Sequence, residues 1–302
     1  GLQAVNMAAA DIKSGMTRAA IAGGLESMTQ TPLVYRASPQ PWGAMTPWMS
    51  DSHPETPDAP NRRMGITVGE NTAEKCGISR EQQDAWSLAS HQRALAAIDA
   101  GYFREEIVPI ELADSKGNVR VFDTDEHPRR DTSLEKLAAL KPLFKAGGTV
   151  TAGNSSSLND AAAALVVADR ELAEGHGLTP LGCIRSWANV GLPPRDTGLA
   201  PSLAIPKACR LAGIDVADLK LVEINEAFAS MAVACTQLLG LSHEQVNVNG
   251  GAVGIGHPVA ASGARILGTL LMELRRRGGG FGVASLCAGG GMGTATVVEV
   301  PA

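Results

Sequence analysis

The segment from Asn247 to Arg265 reads Asn-Val-Asn-Gly-Gly-Ala-Val-Gly-Ile-Gly-His-Pro-Val-Ala-Ala-Ser-Gly-Ala-Arg, and it constrains the fold more than any other stretch. Glycines at 250, 251, 254 and 256 permit tight turns and let the backbone approach a ligand with no Cβ in the way. After Pro258 the residues become helix-forming, and 260–277 reads as an amphipathic helix. His257 therefore belongs on a loop just ahead of a helix N-terminus. An apolar strand over 281–286 follows and runs into Cys287-Ala288-Gly289-Gly290-Gly291-Met292-Gly293. A thiol at a strand end, ahead of a glycine turn, lies where α/β proteins place chemistry. One histidine or one cysteine alone is compatible with a structural role. Two such groups, each set among glycines, point to an active site.

The rest of the chain alternates helical and strand patterns, which is the signature of a layered α/β architecture. Residues 2–14 form an Ala-rich helix that Gly15 ends, and 19–22 reads as a short buried strand. Gly23-Gly24-Leu25-Glu26-Ser27-Met28 reads as a turn, with Glu26 a turn-stabilising carboxylate. From 29 to 63 the periodicity is lost among prolines and small polar residues, as in a functional or mobile loop. Trp42 and Trp48 there either cap a ligand or pack beneath the loop. Ser79 and Gln82 make a capping box for a helix over 80–100, whose apolar positions are Ala85, Leu88, Ala89, Ala96 and Ile98. Strands are expected at 107–112 and 118–122. The polar run around Arg129 and Arg130 reads either as solvated surface or as an anion site, since Arg grips phosphate well.

The small-residue loop 149–160 suits backbone contact with a ligand, or an ordinary Asx and Ser turn, and leads to a buried strand at 161–168. A strand over 182–190, a helix over 201–212 closed by Gly213, and a strand over 219–224 come next. Asn225 opens a helix that runs to about Leu239, either as its N-cap or as a polar group aimed at a reacting oxygen. The last strand is 294–300. Asn225, His257 and Cys287 all fall at strand-to-loop junctions, which would gather them at one sheet edge.

Composition excludes several classes. The 302 residues suggest about two domains, with 44% hydrophobic residues for a sizeable core. A net charge of −5 does not favour a nucleic-acid partner. No apolar run reaches the ~18 residues of a membrane span, so no membrane partner is expected. The five cysteines lack CxxC spacing, which argues against a disulfide framework or a zinc site and for a reducing, cytoplasmic setting.

Five blocks taken in order resemble the thiolase family. They are Gly23–Met28, Gly153–Asp160, Asn225-Glu226-Ala227-Phe228-Ala229, Asn249-Gly250-Gly251 through Gly256-His257-Pro258, and Cys287 through Gly293. The resemblance covers the whole chain. It implies an α-β-α-β-α fold of two similar halves with an inserted loop domain. Residues 1–27 and 159–179 would be the remainder of the N-terminal half, 28–158 the coenzyme-A-binding loop domain, and 180–302 the C-terminal half. It also implies a homotetramer or homodimer that takes coenzyme A thioesters as substrates, with no cofactor and no metal.

The family's nucleophilic cysteine lies in a Cys-x-Ser-Gly-Leu motif, and this sequence begins at its Gly-Leu. The nucleophile would fall just upstream of Gly1, and the 302 residues alone are expected to be inactive. The run Ser155-Ser156-Ser157 departs from the family's usual Ala-Ser-Gly, and Thr197 replaces a Met expected in the biosynthetic branch. By resemblance, His257 activates the nucleophile, and Cys287 removes and returns the α-proton. Asn225 acts through a water with His257 at one oxyanion, and the Gly289 N–H serves the other. Ser156 touches pantetheine, Arg129 lies near the nucleotide end, and Phe228 lines the acyl pocket. The activity expected is acyl-CoA C-acyltransfer, in its most specific form acetyl-CoA C-acetyltransfer. The alternatives are a 3-ketoacyl-CoA thiolase of β-oxidation and, from another class, a non-catalytic acyl-CoA-binding protein or inactive fragment.

Overall fold

The computed structural model of the chain describes residues 1–32, 35–38, 40–47 and 63–302. Helix α1 (Leu2–Lys13) leads into strand β1 (Ala19–Ser27), and the minor strands β2 (Tyr35–Arg36) and β3 (Thr46–Pro47) pair with each other. A π-helical turn (Gly65–Glu70) runs into α2 (Asn71–Cys76), then α3 (Arg80–Asp99), the hairpin β4 (Ile110–Ala113) and β5 (Val119–Phe122), and α4 (Leu134–Ala138). Next come β6 (Asp160–Ala168), α5 (Arg170–Gly175), β7 (Cys183–Gly191), α6 (Ala200–Ala212) and β8 (Leu219–Ile224). The chain finishes with α7 (Ala229–Leu238), α8 (Ala252–Ile255), α9 (Val259–Arg276), β9 (Gly280–Ala288) and β10 (Met292–Val300).

Helix α9 lies at the centre. It packs on β1 and β6 on one side and on β8 and β9 on the other, with α1 beside it. The larger sheet has the order β7-β10-β9-β8, antiparallel except for the parallel pair β8–β9. Helix α6 covers its far face. The layers therefore run sheet, helix, sheet, helix, as the α/β expectation required. A helix inside two sheets needs apolar or satisfied residues on nearly every side. Ile266, Leu267, Leu270 and Leu274 are at most 1% exposed, each contributing roughly 1.5–3 kcal/mol by burial. Two polar residues of α9 find partners inside, where Thr269 donates to Glu106 (2.7 Å) and Glu273 accepts from Asn249 (2.8 Å) and Arg277 (2.6 Å), whereas the buried Arg265 Nη1 and Nη2 have no hydrogen-bond partner among the described residues.

Three sequence expectations change here. Residues 23–27 are strand, not turn, since β1 continues to Ser27 and pairs with β6 down to Asp160. The glycines are needed for close approach, because a Cβ on Gly24 would lie 2.0 Å from the Ala260 carbonyl of α9. Glu26 accordingly does not stabilise a turn but accepts from the Ala260 N–H (3.1 Å) at the start of α9. The strand β6 forms but is not buried: Ile21, Leu25 and Val166 on the outer face of the β1–β6 pair are 80, 73 and 72% exposed. Only the inner face meets α1 and α9.

The third change concerns α3. Its capping box is present as expected, but Ala85 and Ala96 are exposed and the buried face is Gln83, Asp84, Trp86, Ser87, Ser90, His91, Ala94 and Ala97. Periodicity of apolar residues misses this face because hydrogen bonds satisfy most of its polar groups within the protein, Gln83 Oε1 excepted. The excursion containing α3 leaves from the end of β1 and returns at the start of β6. Its two ends are tied where Asp160 accepts from the Thr29 N–H (2.9 Å) and hydroxyl, and the Asn159 N–H meets Met28 Sδ (3.3 Å). Trp42 is fully exposed, packing beneath nothing described, and Trp48 lies outside the described residues.

Candidate active site

Strand β8 sets Asn225. Its backbone N–H donates to the Ser285 carbonyl (3.0 Å), which extends the β8–β9 ladder by one residue and sets Asn225 beside the end of β9 that carries Cys287. Asn225 is not the N-cap of α7, because that helix begins four residues later with Phe228 at the cap. Its side chain instead reaches the histidine loop, with Nδ2 3.2 Å from His257 Nε2. Its Oδ1 is buried and accepts no hydrogen bond among the described residues.

The histidine loop is held from three directions. Ser90 on α3 accepts the Gly251 and Gly254 N–H groups (3.0 and 3.1 Å) and donates to Glu226 (2.7 Å). Glu226 also accepts from Trp86 Nε1 (2.9 Å), Asn247 Nδ2 (2.8 Å) and the Val253 N–H (3.0 Å). Asn159 accepts the His257 N–H (3.0 Å), and the Ser157 hydroxyl donates to the same Asn159 oxygen (2.6 Å). The loop glycines thus admit close approach of other parts of the protein. A Cβ on Gly251 would lie 2.2 Å from the Glu226 carboxyl, and one on Gly250 or Gly254 would strike the Ser90 carbonyl. Gly256, at φ 118, turns the chain against the Asn159 amide.

Burial, with Arg265 second, pushes the His257 ring down to about 4, so it is a neutral base at pH 7. Its Nδ1 lies 2.7 Å from Ser262 Oγ. Burial pushes the Cys287 thiol up to about 12, so it holds its proton. Its Sγ lies 3.6 Å from Met231 Sδ. Gly289 opens the turn between β9 and β10, where Gly290 and Gly291 adopt φ 86 and 83. Buried Thr197 accepts the Gly291 N–H (3.0 Å), so it shapes the turn that follows Cys287.

Ser156 is tethered to the same region, its N–H and hydroxyl both donating to the Ala227 carbonyl (3.1 and 3.0 Å). The adjoining Ser155 bridges to Phe228, whose ring meets Phe144 edge-on at 6.5 Å. Arg129 is not brought to this group. Its N–H donates to His91 Nδ1 (3.2 Å), and the neighbouring His127 contacts the Val253 carbonyl (3.2 Å) in α8. Arg130 pairs with Asp99, so the anion reading finds no support at Arg130.

Sequence reasoning missed four residues that organise this site: Glu226, Ser90, Asn159 and Ser262. Glu226 adjoins Asn225, and a buried-position carboxylate after a strand is a signal that invites a search for donors. Ser90 offers no local signal, since its partners are over 130 residues away in sequence. No group of three or more His, Cys, Asp or Glu side chains that could hold a metal ion occurs among the described residues.

A neutral histidine ahead of α9, an amide at the end of β8 and a protonated thiol at the end of β9 form an α/β site whose groups suit proton transfer and acyl chemistry. Residues 1–171 match the family model for the thiolase N-terminal domain and 178–300 that for the thiolase C-terminal domain, and the chain belongs to the thiolase family. It is 47% identical to an acetyl-CoA acetyltransferase of Chromobacterium violaceum, over all of this chain and 77% of that protein. It is 45% identical to a peroxisomal 3-ketoacyl-CoA thiolase of Arabidopsis thaliana, over 99% of this chain and 64% of that protein. Among solved structures, human mitochondrial 3-ketoacyl-CoA thiolase superposes with a TM-score of 0.92 at 40% identity, covering 99% of this chain and 76% of that one.

Proposed function

We propose that this chain carries the acid–base part of an acyl-CoA C-acyltransferase site, and that the protein is an acetyl-CoA C-acetyltransferase. It joins two acetyl-CoA into acetoacetyl-CoA and CoA, and reverses this by thiolysis through an acyl-cysteine. The observation that carries the reading is the approach of Asn225 to a neutral His257 beside the strand end that bears Cys287. Acetyl-CoA acetyltransferases at 43–47% identity support it, as does a TM-score of 0.91 to human mitochondrial 3-ketoacyl-CoA thiolase solved with CoA.

In this reading the acyl group is carried by the family's nucleophilic cysteine, which is none of the five cysteines of these 302 residues. A neutral imidazole such as His257, together with a helix N-terminus, supplies the two devices that make a thiolate. His257 takes the nucleophile's proton, the thiolate attacks the first thioester, and the departing CoA thiolate takes the proton of the Cys287 thiol. The Cys287 thiolate so formed takes an α-proton from the second acetyl-CoA, and the carbanion attacks the acyl-cysteine, whose thiolate leaves and recovers its proton from His257. Asn225 with His257 and the Gly289 N–H steady the two oxyanions. Ser156 and Phe228 contact the pantetheine and acyl portions, and Arg129 the nucleotide end. Coenzyme A thioesters are substrates and no cofactor is required.

The domain reading follows the ties at both ends of the excursion: 28–158 as the loop domain, 1–27 with 159–179, and 180–302 as the two halves. A homotetramer or homodimer in the cytoplasm is the assembly proposed, and five free thiols suit that compartment. A second reading, a 3-ketoacyl-CoA thiolase, draws on Thr197 and on relatives of that name.

The test is thiolysis by the protein carrying Cys-x-Ser ahead of Gly1. Rapid cleavage of acetoacetyl-CoA is expected, with long 3-ketoacyl-CoA cleaved poorly. The opposite preference selects the second reading. Binding of CoA esters with no turnover selects the non-catalytic class.

A further inference from the structure

We infer that Ser262 is a positioning residue: it fixes His257 as the tautomer with its proton on Nδ1 and leaves Nε2 as the free base facing Asn225. This rests on the acyltransferase reading above. Ser262 is buried in the first turn of α9, and its hydroxyl lies 2.9 Å from the Pro258 carbonyl and 2.7 Å from His257 Nδ1. The hydroxyl has one proton, and a carbonyl oxygen only accepts. In the structure that proton is directed to the Pro258 carbonyl, which also accepts the Ala261 and Ser262 N–H groups, and with it so placed the contact with the ring is made by Nδ1–H donating to Ser262. A neutral imidazole has a single N–H, so Nε2 carries the lone pair. On that side Asn225 Nδ2, a donor only, stands at 3.2 Å, which agrees. The opposite tautomer would require the Ser262 hydroxyl to turn from Pro258 to Nδ1 and the Asn225 amide to flip so that Oδ1 faces Nε2.

The consequence is chemical. His257, Pro258 and Ser262 belong to one loop-to-helix turn, so the tautomer is set before substrate arrives. When Nε2 takes a proton from the nucleophile, the Nδ1–H bond to Ser262 persists. The imidazolium then donates from Nε2 to the thioester oxygen with no ring rotation. A hydroxyl whose own proton is committed is a weaker acceptor than a carboxylate, so it orients the ring without holding it charged.

The first measurement is nitrogen NMR of the protein labelled with [15N]histidine at pH 7, without substrate. The chain has six histidines, and His257→Gln assigns the signal of this one. Nδ1 in the protonated range and Nε2 in the unprotonated range are expected, and the reverse pattern overturns the proposal. Ser262→Ala should mix the tautomers and lower kcat/KM by about tenfold or more, with KM for the thioester little changed. Ser262→Thr, which keeps the hydroxyl, should restore most of the loss. A Ser262→Ala protein with the wild-type tautomer and kcat also overturns it. Because the NMR pattern needs no turnover, an Nδ1–H ring in a protein that fails to cleave acetoacetyl-CoA supports the tautomer and counts against the acyltransferase reading alone.

Discussion

Glu226→Gln changes one atom at the point where the excursion meets the histidine loop. Each carboxylate oxygen accepts two hydrogen bonds: Oε1 from Trp86 and Asn247, Oε2 from Ser90 and the Val253 N–H. An amide NH2 in either orientation sets a donor against two donors. Neither pair can easily turn around. Asn247 Oδ1 already accepts from the Ile224 N–H, and Ser90 already accepts from Gly251 and Gly254. Two charge-assisted bonds are lost at roughly 1.5–3 kcal/mol each, so the variant should be destabilised by about 3–6 kcal/mol. At about 2 °C per kcal/mol for a chain of this size, Tm should drop by about 6–12 °C. Thermal unfolding followed by circular dichroism measures this, and thiolysis at 20 °C measures the effect on the loop, where kcat should fall while the protein remains folded. A Tm within about 2 °C of wild type, with unchanged kcat, would refute the claim that this carboxylate organises the site.

Two further outcomes are expected. Cys287→Ser should still form the acyl-enzyme while turnover falls steeply, as mass spectrometry and steady-state rates will report; equal loss of both steps would sink the assigned role. His91, buried and pushed down to about 4, stays neutral when folded while its unfolded counterpart titrates near 6.5. The unfolded state therefore binds the extra proton as pH falls from about 6.5 to 4, and stability declines across that window. His91→Gln should make this acid limb shallower in urea titrations, and superimposable limbs for variant and wild type would contradict it.

The legible part of this protein is local. Helix α1, the capping box of α3, the strand β8 with its stated bounds and the Gly213 stop all follow from propensity, caps and short-range period. Asn225, His257 and Cys287 stood out because each interrupts a regular pattern at a strand or helix boundary. The buried face of α3 did not, since its residues look solvent-directed until Glu226, Asn154 and Thr149 supply their partners. The role of the loop glycines was likewise hidden, because the backbone they admit belongs to a helix over 150 residues distant in sequence.

By itself the sequence determined the order of the elements, many of their ends and the residue types at each junction, because these depend on dihedral preference and on neighbours within a few residues. Tertiary structure alone decided that α9 would be the central layer, that β6 would bury one face only, that Glu226 would gather four donors, and that Ser262 would face the histidine ring. Those outcomes depend on which distant groups meet after collapse. A buried polar group takes its meaning from its partner, and the partner is chosen by packing.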